Sequence, residues 1–335
     1  MAGRAVTMRD VADAAGVSRT LVSLVLNEST SVTVADDTRA RILTLAADLG
    51  YRPNAAARAL AHQRSDYYGV LSEIVTDPFA VDIIVGAQGE AIRHGKHILL
   101  ASAQADPAAE RAELERLLVR RIDGLIYGAA WHRAVEVPDL AREVPTVLVN
   151  CFDVEGRFPA IVPDERMGGL RATERLLAAG HRRIGFVNID DEIPAAIGRR
   201  RGYQEALRRA DIAIDDSLEA CGEALATGGY EAAGALLDLA EPPTAIFCAN
   251  DRMAMGAYDA IKERGLRIPT DVAVVGFDNQ EVISAFLRPS LTTVALPFDK
   301  MGAMGVELLA RQSAGEPTTT TTVMVDCPLL ERSSV

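Results

Sequence analysis

The stretch TMRDVADAAGVSRTLVSLVLN, residues Thr7 to Asn27, decides the fold of the first fifty residues and gives the rest of the chain its purpose. Met8, Val11, Ala12 and Ala15 fall at i, i+3, i+4 and i+7, one apolar helical stripe, and Thr7 followed three residues later by Asp10 is a capping-box start. Gly16 stops that helix. Ser18 can cap a second one, in which Leu21, Val22 and Val25 point one way while Arg19, Thr20, Ser23, Leu24 and Asn27 point the other. Two short helices joined through a glycine turn predict a helix-turn-helix. Its second helix would lie in the major groove of DNA, with Arg19 and Thr20 at the end that reaches base edges. Arginine is the natural reader of guanine, at about 1–3 kcal/mol of discrimination for a good bidentate contact. Leu24 can touch only a thymine methyl or nothing. The alternative, a helical pair that merely packs on a larger domain, is not excluded by this stretch alone.

Residues 32–60 bear on that choice. Thr33 with Asp36 repeats the cap signal, and Ile42, Leu45, Ala46 and Leu49 predict a third amphipathic helix ending at Gly50. Tyr51-Arg52-Pro53-Asn54-Ala55-Ala56-Ala57-Arg58-Ala59-Leu60 follows, where Pro53 can open a short helix with almost nothing apolar to bury. With T-M-R-D-V-A-x-x-A-G-V-S, the V-S-x-x-L-N ending at Asn27 and the hinge Y-R-P-N-x-x-A-R-A-L, the sequence resembles the lactose-repressor/galactose-repressor (LacI/GalR) family of bacterial transcription regulators. The resemblance implies DNA contacts from Thr7, Ser18, Arg19, Thr20, Ser23, Leu24 and Asn27 in the head and from Asn54, Arg58 and Leu60 in a hinge that folds on the operator. Leu60 matches a leucine wedged into the minor groove, where unstacking is repaid by a bend. At Leu24 the chain departs from the many members that carry a polar or basic residue.

The 335 residues are long for one domain, and 49% hydrophobic content is ample for a large core. Charge is divided unevenly. Up to Arg64 the chain carries eight arginines against six acids, and the remainder has 27 basic and 41 acidic residues. An acidic body repels nucleic acid, so contact is confined to the weakly basic head, and two heads would bind better than one. No apolar signal-peptide core follows the start and no window approaches a membrane span, which predicts a cytoplasmic protein. Cys151, Cys221, Cys248 and Cys327 lack metal or disulfide spacing and read as small buried residues. His94 and His97 read as a solvated pair, so neither a metal nor a cofactor is expected.

From Tyr68 onward, apolar runs of strand length alternate with amphipathic helices. Strands are expected at 69–75, 97–103, 124–129 and 144–149, with helices at 79–94 and 107–121 between them, and continuous apolar runs mean strands buried on both faces. After Pro163 the pattern restarts. Helices are expected at 165–179, 200–210, 229–239 and 252–264, and strands at 184–189, 245–249 and 272–277. The expected fold is α/β: an N-terminal all-α helix-turn-helix head (1–50) and a hinge (51–65) precede a two-lobed, doubly wound parallel-sheet body of periplasmic-binding-protein-like kind. Its N-terminal lobe takes 66–162 and 295–322, its C-terminal lobe 163–294 and 323–335. Ligands on such sheets sit at the carboxyl ends of strands.

The family resemblance runs through the body, in Gly180-His181-Arg182-Arg183-Ile184, Arg199-x-x-Gly202-Tyr203, Ala249-Asn250-Asp251-x-Met253-Ala254-x-Gly256, Val275-Gly276-Phe277-Asp278 and Leu291-Thr292-Thr293-Val294. It implies effector contacts from Arg199, Asn250 and Asp278, with Asn150 beside them where many members have an aspartate. That donor and acceptor set suits a polyol. Asp77 and Phe79 would face it from the first strand-to-helix loop. Phe79, Tyr127, Trp131 and Phe298 are candidates for an apolar floor. Near Ala224 the chain lacks the stacking aromatic that sugar-reading members often place there.

Enzyme signatures are weak. Gly89-Glu90-Ala91-Ile92-Arg93-His94-Gly95-Lys96-His97 resembles a P-loop but has the wrong glycine spacing and a histidine where Ser or Thr should follow the lysine. The paired acids at 36–37, 190–191 and 215–216 are adjacent and point apart. A periplasmic solute-binding protein would share the body but have no use for the head. The expected function is therefore a sequence-specific, homodimeric DNA-binding regulator, a repressor first and an activator second, without enzymatic activity. Its partners would be double-stranded operator DNA and a small effector, a sugar or sugar derivative. The alternative is a cytoplasmic ligand-binding protein of the same fold with no regulatory DNA role. With no leucine heptads after the last strand, a dimer is expected rather than a tetramer.

Overall fold

The Thr7 hydroxyl accepts the Asp10 backbone N–H at 3.4 Å, and the Asp10 carboxylate accepts the Thr7 N–H at 2.7 Å. This complete capping box opens α1 (Met8–Ala15), and Gly16 closes it at φ +63, a left-handed turn that glycine takes without strain. The Ser18 hydroxyl then accepts the Leu21 N–H at 3.2 Å as α2 (Arg19–Leu26) begins. With α3 (Asp36–Asp48), these helices close over Val11, Ala12, Ala15, Val22, Val25, Ile42 and Ala46. Two expectations shift. The third helix starts after Ala35, which makes no side-chain cap bond, and Leu49, at the helix end, is 39% exposed rather than part of the core stripe. The computed structural model describes residues 6–26, 34–51, 65–73, 78–104, 106–190, 192–317 and 319–335.

The chain divides into two compact units, Met1–Ser65 and Asp66–Val335. In the second unit, β1 (Tyr67–Ser72), α4 (Pro78–Arg93), β2 (His97–Ser102), α5 (Pro107–Val119), β3 (Gly124–Val135), β4 (Thr146–Asp153) and β5 (Ala160–Pro163) begin the first lobe. The second lobe takes α6 (Glu165–Ala178), β6 (Ile184–Ile189), α7 (Pro194–Arg209), β7 (Glu219–Gly222), α8 (Ala226–Leu237), β8 (Ala245–Cys248), α9 (Asp251–Glu263), β9 (Ala273–Asp278), α10 (Glu281–Ser284) and β10 (Thr292–Ala295). The chain then returns to the first lobe with α11 (Phe298–Ser313) and β11 (Thr322–Val325), and ends in the second with β12 (Leu329–Leu330).

Strand order is β11-β5-β4-β3-β1-β2 in the first lobe and β12-β10-β9-β8-β6-β7 in the second. All neighbours are parallel except β10 and β12. Parallel pairing requires a crossover for each strand, and the helices that supply it bury both faces of each sheet. In the second lobe Phe186 stacks between Tyr203 and Phe247, with ring centroids 5.1 and 4.9 Å away.

Several details correct the sequence reading. β11 pairs with β5 from Thr322↔Ala160 to Val325↔Pro163, so 323–325 belong with 322 to the first sheet rather than to the C-terminal lobe. The helix expected at 200–210 begins six residues earlier, at Pro194, whose fixed φ and missing N–H suit a first helical position. Cys221 is exposed on the edge strand β7, while Cys151, Cys248 and Cys327 are buried as expected.

Candidate functional site

Parallel strands of both lobes end at one cavity, and an irregularity in β3 shapes it. β3 and β4 pair regularly from Leu125↔Thr146 to Gly128↔Val149 and resume at Arg133↔Cys151. Residues 129–132 therefore stand opposite Asn150 alone, a bulge of the kind that re-aims side chains beside binding sites. Asn150 adopts φ +61 at this point, and its Nδ2 donates to the Ala129 carbonyl at 3.1 Å. Glu73, just beyond β1, braces the bulge by accepting the Ala130 N–H at 3.0 Å and pairing with the Arg133 guanidinium. The consequence is that Trp131 and His132 reach the cavity.

The second lobe supplies the charge. Arg199, in α7, is 3% exposed, and its Nε donates to Glu165 Oε2 at 2.9 Å. Its Nη1 donates to the Ala249 carbonyl and lies 3.4 Å from Asp278 Oδ1. The Arg199 guanidinium sits over the Phe277 ring, 3.8 Å from ring centroid to Cζ. α6 and α7 approach closely enough to hold this pair because they meet at glycines. A Cβ on Gly202 would run into the Arg166 carbonyl, and one on Gly169 into the Arg199 backbone. Asn250 caps α9, its Oδ1 accepting the Met253 N–H at 2.7 Å while Nδ2 donates to the Ala224 carbonyl at 3.2 Å.

Burial opposes charge on both carboxylates, with opposite outcomes. Arg199 and His132 outweigh desolvation at Glu165, whose pKa is lowered below the usual carboxylate range. At Asp278 burial prevails over Arg199, and repulsion from Glu165 adds to it, so the pKa rises to about 7. Asp278 also sits at φ +102, followed by Asn279 at φ +55. The fully buried Asp251 holds this strained turn by accepting the Gln280 N–H at 2.8 Å and the Thr293 hydroxyl at 2.6 Å.

Asn150, Arg199, Asn250, Asp278 and Phe298 all line the cavity, as does Trp131. Tyr127 does not. It precedes the bulge and lies in the first-lobe core, with its hydroxyl donating to Glu110 at 2.9 Å. Asp77 and the side chain of Phe79 lie outside the described residues. The sequence reading missed His132 and Glu165. Glu165 reads as an ordinary first-turn acid next to its cap Asp164, and only its burial between Arg199 and His132 marks it. The cavity is small, about 20 Å³, room for about one water molecule. A sugar-sized ligand thus requires lobes or side chains to move. Among the described residues no group of side chains could hold a metal ion, and no helix is long and apolar enough to cross a membrane.

In the head, Arg19 and Thr20 are exposed at the start of α2, whereas Ser23 and Leu24 are half-buried one turn on. The hydroxyls of Thr7 and Ser18 are engaged in the two caps. Asn27, Asn54, Arg58 and Leu60 lie outside the described residues.

A helix-turn-helix on a two-lobed body with a polar cavity at the carboxyl ends of its strands defines a DNA-binding transcriptional regulator. Residues 7–54 match the bacterial regulatory proteins of the lacI family, and residues 173–335 match the periplasmic binding protein-like domain. The chain belongs to the LacI family. It is 33% identical over 331 residues to the HTH-type transcriptional repressor CytR of Escherichia coli, covering 98% of this chain and 96% of that one. Against the ribose operon repressor of Haemophilus influenzae it is 30% identical, covering 98% of each. The Lac repressor dimer bound to operator and the anti-inducer ONPF superimposes with a TM-score of 0.82 at 28% identity, covering 99% of both chains. A CelR–cellobiose complex gives 0.68 at 28% identity, covering 98% of this chain and all of that one.

Proposed function

We propose that the protein is a repressor whose operator affinity is set by a small, hydroxyl-rich effector, a sugar or sugar derivative, held in the cavity between the lobes. The observation that carries this reading is the convergence of Asp278, Asn150 and Asn250, at strand ends of both lobes, with Arg199 of α7. A guanidinium, a carboxyl near its midpoint of titration and two amides offer donors and acceptors to neighbouring hydroxyls, with Trp131 and Phe298 as apolar walls. Because the lining comes from both lobes, an effector is sensitive to how they close, which couples it to whatever else depends on that closure.

The head acts in pairs. A weakly basic head binds DNA poorly alone, and two heads related by a twofold axis read two half-sites. In support, α4 leaves Val81, Val85 and Ile92 exposed along one helical stripe, an apolar face suited to a second copy. The protein works in the cytoplasm, without catalytic turnover. The test is effector affinity measured with and without operator, after thermal-shift screening of sugars, sugar phosphates and nucleosides identifies a binder. The affinities should differ by a coupling of about 1–3 kcal/mol. Equal affinities would sink the regulatory reading.

A further inference from the structure

The bulge at 129–132 also joins the lobes. His132 Nδ1 lies 3.3 Å from Glu165 Oε1, and the Arg252 guanidinium sits 5.7 Å from the Trp131 ring. First-lobe residues thus touch α6 and α9 of the second lobe. The bulge is braced from behind, by Glu73 on its backbone and by Phe152, which meets the His132 ring edge-on at 6.0 Å. Glu165 is buried at 4% exposure, and its lowered pKa means that it is charged and can only accept. Nδ1 must therefore carry the hydrogen. Parting the lobes takes the His132 donor from Glu165 and leaves Arg199 as its remaining side-chain donor, so the closed arrangement gains one hydrogen bond to a charged group.

We propose that His132 and Glu165 form a cross-lobe latch that keeps the cleft shut in the ligand-free chain, and that a ligand displaces it by offering Glu165 a hydrogen-bond donor. The regulatory meaning of the latch rests on reading the cleft as the effector site, but the latch itself needs no ligand. It also selects. A hydroxyl or protonated amine satisfies Glu165 at this point, whereas a phosphate or carboxylate is repelled.

Trp131 is the only tryptophan of the chain, so its fluorescence reports on the cleft directly. Acrylamide quenching of the ligand-free, full-length protein provides the test. His132→Phe keeps a ring against Phe152 and removes the donor, while His132→Asn restores a donor near the Nδ1 position. Loss of one hydrogen bond to a charged group shifts an open-to-closed ratio about tenfold, so His132→Phe should raise the quenching constant at least about twofold. His132→Asn should stay near the parent value. Adding Glu165→Gln to His132→Phe should produce no further rise, because the two residues act as a unit. Parent-like quenching of His132→Phe, equal quenching of the Phe and Asn variants, or additive effects in the double variant would each overturn the latch. Should His132→Phe fail to fold, His132→Leu, which also removes the donor, carries the same twofold expectation, and no rise overturns the proposal. Failure of the effector reading would look different, as absence of any ligand response while these ligand-free differences persist.

Discussion

Replacing Arg199 by alanine should cost the second lobe much of its stability, with a dependence on pH that follows from its two carboxylate partners. Both Glu165 and Asp278 are buried beside it, and breaking a buried ion pair by removing one partner costs about 3–5 kcal/mol. At roughly 2–4 °C per kcal/mol for a unit of this size, the melting temperature should fall by about 10 °C at pH 8. In the parent, the lowered Glu165 pKa contributes stability above its ordinary pKa, which is lost as pH falls through the folded value. Without Arg199, burial is opposed only by His132 at Glu165 and by Arg252 and Gln280 at Asp278, so both carboxyl pKa values rise. The variant is then most stable when both are protonated and loses stability as pH rises. The difference between parent and variant should therefore shrink substantially from pH 8 to pH 5. Circular-dichroism melts at the two pH values check this. An equal loss at both, or a loss below about 1 kcal/mol at pH 8, would refute the ion-pair reasoning. Arg199 is thus a poor place to remove the ligand response cleanly, because its charge also holds the lobe together.

Three further outcomes are expected. Asp278→Asn should flatten the stability profile near neutrality. The Asp278 pKa of about 7 lies above its ordinary value, so its contribution is fully present below about pH 4 and lost as pH rises through 7. The variant should gain on the parent between pH 6 and pH 8 in thermal melts, and no relative gain would mean that Asp278 stays ionised. Gly202→Ala should cost about 1–3 kcal/mol, since the added methyl meets the α6 backbone, and a neutral effect in denaturant titration would contradict the close approach of α6 and α7. Arg19→Ala should change base preference at one position of each half-site in a binding-site selection experiment. Uniform loss across sequences would make Arg19 a phosphate contact.

The sequence by itself determined the local elements and their order. Thr7 and Asp10 cap a helix, Gly16 ends it, and apolar runs such as 184–189 make buried strands, because these outcomes depend on neighbours within a turn or a strand length. The family resemblance, carried by short motifs, also implied Arg199, Asn250 and Asp278. Short elements such as β5, β7 and β11 were not legible, since four residues carry little periodicity and β11 pairs with residues 162 positions earlier in the chain. Tertiary structure alone decided which aromatic faces the cavity. Tyr127 and Trp131 lie on one strand, and only the extra residues inserted opposite Asn150 send the first into the core and the second to the cleft. It alone made Glu165 a site residue, for a carboxylate at a helix start is ordinary until burial leaves Arg199 and His132 to hold its charge.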